Sequence, residues 1–264
     1  MYHRIVCLTE EPTEILYRLG EDARIVGISG FTVRPARARR EKPKVSAFTS
    51  AKIDRILELK PDLALGFSDI QAGIAAELIR RGVEVHIFNH RSVAGILRTV
   101  KAVAALAGRA GRGERLAAEL EAGLDRVRER AAALPRRPRI YFEEWYDPLI
   151  SGIRWVSELV ELAGGDDCFP EHRGASLAKD RIIPDPAEVV RRAPDVIIGS
   201  WCGRKFRPER VAAREGWSEI PAVAGGHVHE VKSALILQPG PAALTDGVEA
   251  LQRIILDWAD ASAR

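Results

Sequence analysis

One run of strong helix formers, residues 114–134, constrains the fold of this chain more than any other segment. Ala, Leu, Glu and Arg fill nearly all of it, Gly123 is its only glycine, and no proline occurs before Pro135. Its apolar residues recur at helical spacing. Roughly 21 residues with a rise of about 1.5 Å each form a rod of about 31 Å, which is about the width of a small domain.

We therefore predict a linking helix, residues 111–136, that joins an N-terminal α/β lobe, residues 1–110, to a C-terminal α/β lobe, residues 137–264. Gly111 and Gly113 precede the run and Pro135 follows it, so these residues are expected to mark its ends. The alternative is an ordinary crossover helix within a single lobe.

Short apolar runs alternate with helical patterns on both sides of this helix. An alternation of this kind is typical of mainly parallel sheets with helices on both faces, and it predicts the α/β fold class. The predicted strands are residues 4–8, 24–28, 63–67 and 83–88 in the first lobe, and 139–142, 196–200 and 228–231 in the second.

A sequence pattern that occurs once in each half of the chain supports the two-lobe interpretation. Residues 56–66 and 189–199 each contain a helical segment, then Pro-Asp, three apolar residues and Gly. Proline ends a helix, aspartate suits the turn, and an apolar triplet is typical of a buried parallel strand. The two copies occupy matching points in the two halves, which favours duplication over chance.

Composition excludes several classes of protein. The hydrophobic fraction of 46% suffices for a packed core, and the net charge of +3 indicates no nucleic-acid partner. No apolar run approaches 18 residues, so we predict no membrane insertion. Three cysteines and a first strand close to Met1 predict a cytoplasmic location; a periplasmic or lipid-anchored protein whose leader has been removed is the alternative.

The chain shows no pattern of catalytic residues. It has no nucleophile elbow, no glycine-rich phosphate loop and no paired-cysteine zinc motif, so we predict that it is not an enzyme and holds no metal through such a motif. His227 and His229 share one face of a predicted strand, but no third metal ligand is spaced nearby. Residues 34–44 carry six basic residues and one acidic residue, as either a solvated loop or an anion-binding patch.

Aromatic residues occur where predicted strands end, and this pattern indicates a ligand site. The carboxyl ends of parallel strands converge on the crevice in which α/β proteins bind ligands. The residues concerned are Phe31, Phe48, Trp145, Tyr146 and Trp201. We expect them to line a cleft between the lobes rather than a core.

Several motifs resemble the substrate-binding proteins of ABC importers for vitamin B12 and iron chelates, which have two Rossmann-like lobes joined by one long helix. The resemblance covers nearly the whole chain, and its second half is most similar to the cobalamin-binding branch. The motifs are LTE at 8–10 with TEI at 13–15, ILELKPDL at 56–63, EWYDPL at 144–149, ELVELAGG at 158–165, APDVI at 193–197 and WCG at 201–203.

The resemblance implies non-catalytic binding of cobalamin or a related corrinoid, with an ABC importer permease as a possible partner. In the B12 binders a surface glutamate on each lobe docks the membrane partner. Asp54 occupies the first of these positions, and Ala187 or Glu188 the second. The predicted ligand-binding residues are Phe31, Phe48, His90, Trp145, Tyr146, Asp147, Pro148, Trp201, Cys202, Arg204, Ser233 and Gln238.

Two departures from the family pattern lead to a further hypothesis. The first docking position holds a shorter acid, and the loop at 233–238 lacks the Asp and Arg of the enteric B12 binder. We therefore expect a corrinoid carrier or store inside the cell. The alternatives are a ferric-siderophore or haem binder, favoured by basic residues near Arg204, and a tetrapyrrole metal chelatase, favoured only by His227 and His229.

Overall fold

The computed structural model describes residues 1–262 and consists of two compact units. The N-terminal unit comprises Met1–His90 and Ala94–Glu121, and the C-terminal unit comprises Arg91–Val93 and the chain from Ala122 onward. The predicted α/β fold, with two lobes of mainly parallel sheets, is confirmed. No helix among residues 1–262 is both long and apolar enough to cross a lipid bilayer.

A five-stranded parallel sheet forms the middle of the N-terminal unit, in the order β3-β2-β1-β4-β5. Its central strand β1 is wholly buried, as its apolar sequence IVC requires. The strands are β1 Ile5–Cys7, β2 Ile25–Ser29, β3 Lys44–Ser46, β4 Leu63–Phe67 and β5 Val85–Phe88, and the helices are α1 Glu10–Arg18, α2 Ala38–Glu41, α3 Ile53–Glu58, α4 Ala72–Arg80, α5 Val93–Leu106 and α6 Ala110–Ala132.

The sheet of the C-terminal unit is mixed. Strands β10, β9 and β6 run parallel, β7 pairs antiparallel with the second half of β6, and β8 pairs parallel with its beginning. The strands are β6 Arg139–Tyr146, β7 Leu149–Ser151, β8 Asp166–Asp167, β9 Val196–Gly199 and β10 Val228–Glu230, and the helices are α7 Arg154–Leu162, α8 Ala187–Arg192, α9 Pro208–Ala212, α10 Pro221–Ala224, α11 Ser233–Ile236 and α12 Val248–Ser262.

Helix α6 begins at Ala110, so the prediction that Gly111 and Gly113 mark the start of the long helix is wrong. Its residues up to Glu121 belong to the N-terminal unit and the rest to the C-terminal unit. Gly113 lies where α6 approaches α5, and a Cβ added there would overlap the Cβ of Ala104. Close packing between helices therefore explains a glycine that the local pattern suggested was a helix end.

Strand β6 is longer than predicted, because it continues to Tyr146 instead of ending at Phe142. Its second half is held by hydrogen bonds to β7, a short strand that the sequence did not indicate. Trp145 and Tyr146 are therefore the last residues of a strand rather than part of a loop after it. A sheet edge fixes them more firmly than a loop would.

The glycines of α6 provide a matched test of the close helix approach. We expect Gly113→Val to lower the free energy of unfolding by about 1–3 kcal/mol, because the added carbons must displace α5. Nothing lies within 4 Å of a Cβ at Gly111. Gly111→Ala should therefore raise the free energy of unfolding by about 0.5–1 kcal/mol in the same urea titration. Equal effects from both substitutions would contradict the packing explanation.

Candidate ligand-binding site

Four aromatic side chains, here called the aromatic ladder, follow one another in tilted or edge-on contact at and after the carboxyl ends of β6 and β9. The two strands are parallel neighbours with Glu143 opposite Gly199, so their ends meet at one edge of the sheet. The ring centroids are 5.0 Å apart for the first pair of the ladder, 4.5 Å for the second and 4.9 Å for the third. In order, the members are Trp145, Tyr146, Trp201 and Phe206.

The exposed end of the ladder is formed by Trp145 and Tyr146, which are half-buried, while Trp201 and Phe206 are buried. The guanidinium of Arg210 lies 5.6 Å from the centroid of the Tyr146 ring. Aromatic side chains presented in this way offer a broad apolar surface with a cationic rim.

A buried carboxylate supports the ladder from within the unit. Glu143 is 0% exposed and accepts hydrogen bonds from Arg214 at 2.5 and 2.9 Å and from Nε1 of Trp201 at 3.0 Å. The Tyr141 hydroxyl donates to it at 3.2 Å. Burial and this carboxylate raise the pKa of Tyr141, so its hydroxyl remains a donor. Four donors therefore satisfy the buried charge and fix the orientation of Trp201.

The neighbouring carboxylate, Glu144, forms a separate buried ion pair. Arg181 is 1% exposed and donates to both carboxylate oxygens of Glu144, at 2.7 and 3.0 Å. The backbone N–H of Ile153 donates to the same carboxylate at 3.1 Å. Arg181 is therefore a buried structural residue rather than a surface charge. It connects β6 and β7 to the segment between β8 and α8, because it also donates to the backbone oxygen of Ser151.

Two other predicted site residues, Asp147 and Pro148, are exposed and form the tight connection between β6 and β7. The indole N–H of Trp145 donates to the backbone oxygen of Asp147 at 2.9 Å, so the turn holds the outermost ring of the ladder in place. The Asp147 carboxylate is solvated and has the chemistry to accept hydrogen bonds from amide groups on a ligand.

The remaining predictions in this unit have fewer contacts. Cys202 and Arg204 are exposed in the segment after Trp201, and Lys205 and Arg207 follow in the same exposed segment. Ser233 opens the short helix α11 and Gln238 lies just after it, both half-buried. Since α11 follows β10, which is parallel to β9, this loop lies toward the same edge of the sheet as the ladder.

The N-terminal unit exposes apolar side chains at the corresponding edge of its own sheet. Phe31, after β2, is 57% exposed, and Ile70, after β4, is 48% exposed. Phe48, after β3, is half-buried, and its backbone oxygen accepts a hydrogen bond from Gln71 at 3.1 Å. His90, after β5, contacts Thr99 Oγ1 at 3.0 Å. These residues place apolar side chains at the strand ends of the N-terminal unit.

Sequence reasoning did not find a buried polar cluster at the end of the central strand β1. The Glu10 carboxylate accepts a hydrogen bond from Ser29 Oγ at 2.8 Å, and Ser29 Oγ accepts one from the N–H of Phe31 at 3.1 Å. Glu11 is buried beside Glu10 in the first turn of α1. The sequence signal for this cluster is the pair of adjacent acidic residues, Glu10 and Glu11, that follows the apolar strand β1.

This cluster predicts a pH-dependent stability. Burial, and the neighbouring Glu10, raise the pKa of Glu11 from 4.5 to about 8. The folded chain therefore keeps a proton that the unfolded chain loses, and the free energy of unfolding should fall as the pH rises through this interval. We expect Glu11→Gln to flatten this dependence in urea titrations across it. The variant Glu58→Gln, at an exposed carboxylate, should retain the pH dependence. Identical slopes of the free energy of unfolding against pH in all three proteins would contradict the assignment of this dependence to Glu11.

The histidine pair is the remaining candidate for a metal site. His227 and His229 have ring centroids 6.3 Å apart beside and on β10. Across residues 1–262, no three His, Cys, Asp or Glu side chains come together in a way that could hold a metal ion. Burial, and then His227, lower the pKa of His229.

The predicted docking residues lie on separate helices. Asp54 on α3 has a side chain that is 90% exposed and lies 3.8 Å from Arg81. Glu188 on α8 pairs with Arg191 at 2.6 Å and with Arg192 at 2.7 Å. Both carboxylates are within reach of a partner, although Glu188 would have to exchange its present arginines for new ones.

Comparison with known families identifies the type of protein. The sequence pattern of the periplasmic binding protein family matches residues 5–235. A vitamin B12-binding protein of Vibrio campbellii is 25% identical over 242 residues, covering 89% of this chain and 83% of the relative. An uncharacterized ABC transporter substrate-binding lipoprotein of Bacillus subtilis, YvrC, is 24% identical over 96% of this chain and 79% of its own length.

Solved structures show the same fold. A possible iron-binding periplasmic solute-binding protein from Staphylococcus epidermidis superposes with a TM-score of 0.82 at 23% identity, over 96% of this chain and 98% of the other. The haem-binding protein RhuT from Roseiflexus superposes with a TM-score of 0.80 at 23% identity, over 97% of this chain and 100% of the other. The vitamin B12-binding protein BtuF of Vibrio cholerae superposes with a TM-score of 0.75 at 23% identity, over 97% of this chain and 98% of the other.

These findings confirm one prediction and overturn another. The prediction that the chain is not an enzyme is confirmed, because the proteins of the matching family bind substrates for import. The prediction of a cytoplasmic location is wrong, and with it the hypothesis of a carrier or store inside the cell. Periplasmic proteins and a lipoprotein among the relatives point to an extracytoplasmic location. Cysteine count and the position of the first strand carry too little information to decide location.

Proposed function

This chain belongs to the periplasmic binding protein family, and from that membership we propose that it binds cobalamin or a related corrinoid for an ABC importer. The aromatic ladder carries the proposal. A corrin is a broad, largely apolar disc with amide groups around its rim, and a row of neighbouring aromatic rings offers an apolar surface for its face. The vitamin B12-binding relative from Vibrio campbellii supports the same ligand.

The predicted residues divide into two roles under this proposal. Apolar faces would contact the corrin ring, whereas polar groups near them would hydrogen-bond its amides. The proposed ring contacts are Phe31, Phe48, Trp145, Tyr146, Pro148 and Trp201, and the proposed polar or cobalt-facing contacts are His90, Asp147, Cys202, Arg204, Ser233 and Gln238. Phe31 is the most exposed aromatic of these at a strand end.

A second candidate ligand is haem or a ferric siderophore. Arg204, Lys205 and Arg207 form an exposed basic segment beside the ladder, and carboxylates or hydroxamates on such a ligand would meet these side chains. The haem-binding neighbour from Roseiflexus has the same fold. The corrinoid is preferred because a vitamin B12-binding relative matches most of the chain in sequence.

A direct titration tests the ligand. We expect hydroxocobalamin to bind saturably at about one molecule per chain, as measured by calorimetry, with quenching of tryptophan fluorescence from the ladder. A shift in the visible spectrum would indicate that His90 or Cys202 enters the cobalt coordination. Haemin and a ferric siderophore are titrated in parallel. Saturable binding of either, without hydroxocobalamin binding, would replace the corrinoid with the second candidate.

The importer permease is the proposed protein partner, with Asp54 and Glu188 as docking residues. We expect the double variant Asp54→Lys, Glu188→Lys to keep its ligand affinity, because both residues lie on helices distinct from the strand-end residues. The same variant should lose stimulation of ATP hydrolysis by the reconstituted importer, since charge reversal opposes a cationic docking surface. Undiminished stimulation would rule out these positions as the docking contacts.

A further inference from the structure

A short exposed loop joins the two inner members of the aromatic ladder. Trp201 precedes it and Phe206 lies near its end, both buried, and the four residues between these rings are exposed. The backbone N–H of Arg204 donates to the Trp201 carbonyl at 3.3 Å, so the chain turns directly after the first ring. Gly203 within the turn has a φ of +72°, a conformation that favours glycine. Residues 202–207 are here called the basic loop.

Both ends of the basic loop are attached to the sheet. The Trp201 indole donates to Glu143 on β6 at 3.0 Å. The Phe206 ring lies against Gly199 on β9, where an added Cβ would come within 1.8 Å of a ring carbon. These contacts hold the loop at the carboxyl ends of two neighbouring strands, beside the rings.

Three cations in this part of the chain make no ion pair. Arg204, Lys205 and Arg210 are exposed, and no carboxylate of the described residues lies within ion-pair distance of any of them. The fourth cation, Arg207, is 3.5 Å from Glu209. An exposed cation without an acidic partner can bind an anionic group of a ligand without first breaking an ion pair.

Neighbouring acids do not cancel this charge. Residues 201–215 contain five basic side chains and two acidic ones, and the one further acid in contact with this segment is the buried Glu143, which binds Arg214. Glu230 and Lys232, on and after the adjacent strand β10, pair with each other and add no net charge. This end of the ladder therefore has a surplus of two positive charges.

The other end of the ladder carries an acid, Asp147. Its backbone oxygen accepts the indole N–H of Trp145, the outermost ring, whereas the basic loop contains Phe206, the innermost. Arg210 lies between the two ends, with its guanidinium 5.6 Å from the centroid of the Tyr146 ring. With Asp147 counted, one surplus positive charge remains. The ladder is thus polarised, with an acceptor for ligand amides at one end and cations at the other.

We propose that the basic loop and Arg210 bind an oxyanion on the rim of the corrinoid, so that the protein prefers corrinoids with a phosphodiester or a free carboxylate over neutral ones. This inference rests on the proposed function, since the ladder must hold the corrin ring. Guanidinium and ammonium groups form charge-assisted hydrogen bonds to phosphate and carboxylate oxygens, and these are stronger than hydrogen bonds to amides. Arg204, Lys205 and Arg210 therefore determine specificity, whereas the rings contact every corrinoid alike.

The dicyano forms of cobalamin, cobyric acid and cobinamide test the proposal, because they share both axial ligands and differ on the rim. Cobalamin carries a phosphodiester, cobyric acid a carboxylate, and cobinamide no anionic group. Calorimetry in excess cyanide should show at least one of the two anionic corrinoids binding about tenfold more tightly than cobinamide. The one that shows this preference identifies the oxyanion.

The double variant Arg204→Gln, Lys205→Gln should lower the preference from about tenfold to about twofold, because it removes two charged donors. The matched control is Arg115→Gln, Arg126→Gln, which removes two exposed cations from α6 and should retain the full preference. If the first variant does not fold by circular dichroism, salt decides the question. Raising the salt concentration to about 1 M should remove the preference of the native chain by screening, and a preference that persists would contradict the proposal.

The outcomes separate this inference from the proposed function. Equal affinity for all three corrinoids, or an unchanged preference in Arg204→Gln, Lys205→Gln, would overturn the inference and leave corrinoid binding intact. An equal loss of affinity for all three in that variant would also contradict it, because the loop would then support the site without selecting its ligand. Failure of all three corrinoids to bind the native chain would overturn the proposed function and this inference with it.

Discussion

Replacement of Glu143 by alanine is expected to lower the free energy of unfolding by about 3 kcal/mol, because it leaves the largely buried Arg214 without its partner. The Glu143 side chain is fully buried, and that of Arg214 retains only a fifth of its exposure. The substitution also removes the acceptor for the Trp201 and Tyr141 donors. A chemical denaturation curve measures the loss.

Two companion variants distinguish lost charge from lost hydrogen bonds. Glu143→Gln keeps an acceptor for the Trp201 indole while removing the negative charge, so it should recover the hydrogen-bonding part of the loss. The double variant Glu143→Ala, Arg214→Met replaces the whole pair by apolar atoms and should be more stable than Glu143→Ala alone. A double variant less stable than the single one would contradict an unpaired charge as the cause.

Replacement of Tyr146 by alanine is expected to weaken hydroxocobalamin binding about 30- to 100-fold, the effect of removing a central aromatic contact from a binding surface. The Tyr146 ring lies between those of Trp145 and Trp201, so its loss opens the middle of the ladder. The side chain is half-buried rather than enclosed in the core. Its removal should therefore affect ligand affinity far more than stability.

The matched control is Tyr146→Phe, which keeps the ring and removes only the hydroxyl. It should bind hydroxocobalamin as tightly as the native chain, because the proposed contact is through the ring face. Both variants are measured by calorimetry and by urea denaturation. Native affinity in Tyr146→Ala would remove the ladder from the ligand site, whereas weakened binding in Tyr146→Phe would show that the hydroxyl takes part.

Local patterns predicted much of the fold. The strand at 63–67 has the predicted bounds, and it belongs to the repeated pattern with Pro-Asp. An apolar triplet after a proline turn has few alternatives to a buried parallel strand. Five aromatic positions could likewise be located from strand ends, and three of them, Trp145, Tyr146 and Trp201, do contact one another in succession.

The sequence by itself determined the α/β class, the two lobes and the helix that runs from one to the other, since periodicity and helix-breaking residues act within a few neighbours along the chain. Only the tertiary structure decided that Gly113 is a contact between helices, that Glu143 meets Arg214, and that Glu144 meets Arg181. Residues 71 and 37 positions apart form these two ion pairs. A buried charge is stable only beside its partner, and no local pattern specifies which distant residue the fold will bring there.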